Sequence, residues 1–126
     1  MNFSFLMIIN AIVAVVFGVG FVFAPGQTLS YYGISPDAAF RLVAQLFGAA
    51  LVGFAVLTWS ARNAAASEAR NAILLALFVS DGIGLILSLI GQIQGVPNAL
   101  GWLNVAIYLF LTLGFGYFLF SKGSAP

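Results

Sequence analysis

The sequence has no cysteine and no histidine, and its 126 residues carry only four basic and three acidic side chains. Without cysteine there is no disulfide, no thiolate metal site and no thiol chemistry, and without histidine the commonest general base is missing. Together these absences exclude the usual zinc ligand sets and the usual axial ligands of haem. The single lysine, Lys122, lies in the C-terminal tail, which excludes a retinal-type Schiff base inside a helical bundle. No basic run accompanies the net charge of +1, so nothing points to nucleic acid. The acids Asp37, Glu68 and Asp81 stand far apart along the chain, which disfavours paired-carboxylate chemistry and carboxylate-bridged metals. No nucleophile has a visible base. The expectation is a chain that is not an enzyme and holds neither cofactor nor metal.

What is present is apolar: 63% of the residues are hydrophobic and 6% are charged, where soluble chains carry about a quarter charged residues. The pattern predicts one integral membrane domain over residues 1–126, with spans near 3–23, 38–60, 71–93 and 99–120. The first span holds Asn10 as its one strongly polar residue. A signal peptide is disfavoured because no lysine or arginine precedes the run, the run is too long, and Pro25 directly follows the only plausible small cleavage residue, Ala24. Residues 24–37 read as a loop, with Tyr31 and Tyr32 at headgroup level. Within it Ser35, Pro36 and Asp37 look like an N-cap, a first-turn proline and a first-turn acid.

Each later span carries a periodic face. In the second span Arg41, Gln45, Gly48, Val52, Ala55 and Trp59 alternate by fours and threes, and in the third Asp81, Gly84, Ser88 and Gly91 do the same. The fourth begins with the interfacial Trp102 and repeats Asn104, Tyr108, Thr112 and Gly116 at intervals of four. Small residues let helices approach in lipid, so Gly48, Gly84 and Gly91 are the expected packing positions. The tight return at 94–98, with Gly95 and Pro97, makes the third and fourth spans a helical hairpin. The fold class is therefore all-α, a four-transmembrane-helix antiparallel bundle. Arg62, Arg70 and Lys122 share a side with the amino terminus, and only Arg41 lies opposite. The positive-inside rule then puts both termini in the cytoplasm of a multi-pass inner-membrane protein.

Asp81 is the sharpest feature. An aspartate at mid-span costs roughly 2.5 to 3.5 kcal/mol on insertion scales, so it should face protein or water. At 1.5 Å per residue Arg41 lies roughly 5 Å below the outer boundary, Asn104 roughly 8 Å, Gln45 roughly 10 Å and Asp81 roughly 15 to 18 Å. An outward-opening polar pocket of Asp81, Arg41, Gln45, Asn104 and Ser88 is the candidate site. Two readings stand for Asp81: a proton or cation site, or a buried carboxylate that fixes helix register through Arg41, Ser80, Gln45 or Asn104. Arg41 also reads as a snorkelling interface residue, and Gln45 and Asn104 as interhelical hydrogen-bonding groups.

Tyr32, Gly33 and Ile34, then Arg41, Phe47, Gly48, Ala49 and Ala50, then Trp59, Ala61 and Arg62 resemble a broad group of small uncharacterised bacterial four-span proteins. The resemblance covers mainly the second span, and it implies a bacterial membrane location without an activity. In size and span count the chain is also similar to small multidrug-resistance transporters, from which it departs in having no acid in its first span. The expected function is a non-catalytic accessory or structural subunit that packs against other membrane helices, lipids or pigments, or against itself. The alternatives are a small homo-oligomeric transporter or ion-binding bundle using Asp81, and a binder of lipid or another hydrophobic ligand.

Overall fold

The computed structural model describes residues 1–121, all of whose regular structure is helical. The elements are α1 (Phe3–Phe23), α2 (Pro25–Tyr31), α3 (Ala38–Ser60), α4 (Glu68–Ile93) and α5 (Gly101–Phe120). Four of them, α1, α3, α4 and α5, are long and apolar enough to cross a membrane. Lys122 lies outside the described residues.

Hydropathy predicts the middles of these helices, and local polar chemistry sets their ends. Helix α3 begins after Asp37, whose side chain accepts a hydrogen bond from the Phe40 amide at 2.8 Å. The cap is thus Asp37 rather than Ser35, and Pro36 precedes the helix. Helix α4 starts earlier than the expected residue 71 because the Ser67 hydroxyl accepts from the Arg70 amide at 3.1 Å and Glu68 occupies the first turn. Helix α5 starts later than the expected residue 99. The Asn98 carbonyl accepts from the Gly101 amide at 2.9 Å and the Asn98 side chain from the Leu100 amide at 3.0 Å, which holds the preceding residues in a turn.

The stretch read as a loop contains α2. Pro25 opens it, preset for a first helical turn, and Leu29 is its buried residue. It closes with Gly33 at φ 77°, the Gly33 amide bonded to Ser30 O and the Ile34 amide to Leu29 O. Helix α4 ends the same way, with Gly95 at φ 74° and the Gly95 and Val96 amides bonded to Gln92 O and Gly91 O. Both are Schellman closures, which need a left-handed residue just past the helix.

The chain divides into two compact units, residues 7–62, and residues 1–6 together with the chain from 63 onward. In the first unit α1 packs on α3. Gly18 and Gly48 bring their backbones together, Phe21 meets Phe47 edge-on at 5.6 Å, and Asn10 pairs with Thr58. Phe21, Leu29 and Ala44 form a small core under Phe17, Ile34 and Leu51. In the second unit α4 pairs with α5: Phe78 lies on Gly116, Thr112 on Gly82, Tyr108 on Gly84 and Gln92 on Gly101. The first turn of α1 joins this unit through Phe3 on Phe118 at 6.1 Å and Leu6 on Gly114.

Candidate functional site

The α4–α5 pairing builds a polar seam. Asp81 is buried, only 9% exposed, on the α4 face that also buries Leu74 and Leu77. Its Oδ2 atom is fully shielded and has no hydrogen-bond partner among the described residues. The same holds for Thr112 Oγ1 on α5, and the Thr112 side chain stands against Gly82, the neighbour of Asp81. The third such atom is Gln92 Oε1, at the α4–α5 turn. The Gln92 amide nitrogen donates to Asn98 O at 3.0 Å, and its oxygen occupies the space a side chain at Gly101 would need. Between these levels Ser88 and Asn104 are half-buried, and the Tyr108 ring fills the space beside Gly84.

The five expected polar residues fall in two groups. Asp81, Ser88 and Asn104 belong to the α4–α5 unit, whereas Arg41 and Gln45 belong to the other. Arg41 is exposed and donates to Pro36 O at 3.1 Å, and Gln45 is exposed and donates to Val22 O at 3.0 Å. Each of these two ties α3 to the chain that leads into it. The face expected for α3 is rotated accordingly: Ala44, Gly48, Ala55 and Thr58 are buried, while Arg41, Gln45 and Trp59 are not.

Sequence reasoning missed three polar participants. Thr112 appears in the α5 repeat, but nothing in that repeat relates it to Asp81. Gln92 lies about three helical turns beyond Asp81 on the same face, a spacing that marks it for this seam. Thr58 is wholly buried, accepts from Asn10 Nδ2 at 3.3 Å and donates to Phe54 O at 2.8 Å. Of the expected packing glycines, Gly48 is closed by Gly18 and Gly84 by Tyr108, while nothing lies within 4 Å of the position a side chain would take at Gly91.

The charged groups at the helix ends are held locally. Arg62 stacks on Trp59 at 4.0 Å and donates to its carbonyl, and Arg70 stacks on Phe3 at 3.8 Å and donates to Ala64 O. Among the described residues no three histidines, cysteines or acids gather as a metal cluster. Comparisons of the chain with protein families, curated proteins and solved structures give no match.

Proposed function

We propose that this chain is a non-catalytic accessory subunit of a bacterial inner membrane, an antiparallel four-span bundle that docks through α3 onto helices of a larger membrane protein. One observation carries the reading. Ala49, Ala50 and Gly53 form an exposed patch on α3, and nothing lies within 4 Å of the position a side chain would take at Gly53. The apolar residues around it, Leu42, Leu46 and Val56, are also exposed. Lipid tails gain nothing from small residues, whereas a second helix gains close van der Waals contact there. Gly18, Gly48, Gly84 and Gly116 are already filled from within their own units, which leaves this patch as a free small-residue surface on α3.

Both termini belong on the cytoplasmic side in this proposal. The meeting of Phe3, Arg70 and Phe118 supports a shared side for the start of α1, the start of α4 and the end of α5. Arg62 and Arg70 supply the positive charge there.

The test is extraction of the protein from its native membrane in a mild detergent, followed by native mass measurement. Co-purification with larger proteins at fixed stoichiometry is expected, and Gly53→Leu should release the chain from them while leaving it helical. A monodisperse monomer, or an assembly indifferent to Gly53→Leu, contradicts the proposal.

A further inference from the structure

We infer that the seam between α4 and α5 binds a small monovalent cation through Asp81 and Thr112. Buried polar atoms in proteins nearly always have a hydrogen-bond partner, so two shielded and unpartnered oxygens, one on Asp81 of α4 and one on Thr112 of α5, whose methyl group packs at Gly82 beside Asp81, mark a place built for something else. Both atoms offer lone pairs. A carboxylate oxygen and a hydroxyl oxygen together suit a hard cation, an alkali ion or hydronium, and repel an anion.

The charge is set by the same residues. Neither α5 nor the 1–6 segment carries a charged side chain, and the other charges of α4, Glu68 and Arg70, lie in its first turn. One carboxylate in an apolar surround is neutralised by one positive charge, whereas a divalent ion would leave a net charge buried. Gln92 Oε1, a third unpartnered acceptor, stands on the Asp81 face where the seam meets the α4–α5 turn. This inference does not rest on the subunit reading, since a docked chain and a free one carry the same seam.

The experiment is thermal unfolding of the full chain in detergent, titrated with sodium, lithium or potassium chloride against choline chloride at equal ionic strength. A saturable rise of the midpoint with one of the alkali ions, absent with choline, is expected. Asp81→Asn should abolish it, and Thr112→Val should raise the half-saturating concentration roughly tenfold or more. Thr112→Ser, which keeps the hydroxyl, should restore it, so the conclusion does not depend on how well Asp81→Asn folds.

Acidification separates the two cations. No alkali response, but a rise on lowering the pH that weakens in both Asp81→Asn and Thr112→Val, identifies hydronium. On α5 the only titratable side chain beside α4 at this seam is Tyr108, and the 1–6 segment adds only the amino terminus, so no neighbouring acid of this unit confuses that readout. A midpoint indifferent to every cation and to pH overturns the inference, and so does a response that survives both Asp81→Asn and Thr112→Val.

Discussion

A side-chain carbon at Gly48 would stand 2.8 Å from the Gly18 carbonyl oxygen and 2.8 Å from Phe21 Cβ, neither of which is the free end of a flexible side chain. Gly48→Ala must therefore push α1 away from α3, and it should destabilise the protein by about 1–3 kcal/mol in a denaturant titration in detergent. Gly53→Ala, inside the same helix, meets nothing within 4 Å and should instead stabilise the protein by about 0.5–1 kcal/mol. The sequence distinguishes such positions only in part. Gly48 and Gly91 read alike, as small residues on a periodic face, yet one is closed and the other open, because the difference lies in the partner helix. Asp81 reads as buried from its charge alone. Its neighbour Thr112 does not, since a threonine inside a helix can bond its own backbone, as Thr58 does to Phe54 O, and so announces no partner.

Among the elements, the helix starts carry the clearest consequence. Asp37 holds the Phe40 amide at the first turn of α3, so Asp37→Ala should cost about 0.5–2 kcal/mol. It should also speed amide hydrogen exchange in that turn before any change appears at the middle of the helix. The helices over 3–23 and 38–60 fall where the apolar runs place them, because an abrupt change in polarity coincides with each end. The starts of α4 and α5 are not, because Ser67 and Asn98 are polar side chains whose bonds to nearby amides fix the boundary. Helix α2 is too short to show a period, and its glycine and proline read first as loop chemistry. A second glycine of that stretch, Gly33, supplies the left-handed residue that closes the helix.

For the whole molecule, the absence of native cysteine makes the proposed orientation directly testable by single substitutions. Ser35→Cys and Asn98→Cys should react with a membrane-impermeant maleimide added outside intact cells, and Ser67→Cys should react only after the membrane is opened. The reverse pattern would invert the protein in the membrane. The number of long apolar helices and the α4–α5 hairpin follow from hydropathy and one short connection. The pairing of α1 with α3 does not, since the intervening residues 24–37 leave the order of neighbours open until Gly18 meets Gly48 and Asn10 meets Thr58. For the same reason the division of the five polar residues between two units is invisible in a linear reading, where depth alone places Arg41 and Gln45 near Asp81.

Arg62 over Trp59 gives the chain an optical property. The only other indole, Trp102 at the start of α5, is similarly exposed, 52% against 50%, but among the described residues no guanidinium stacks on it. The two tryptophans are thus unequal, one with a cation held on its face and the other without. In the proposed orientation they also lie at opposite leaflets. Fluorescence from Trp59 reads the inner leaflet through the Arg62 contact and fluorescence from Trp102 reads the outer, so an unlabelled protein carries a reporter for each side of its membrane.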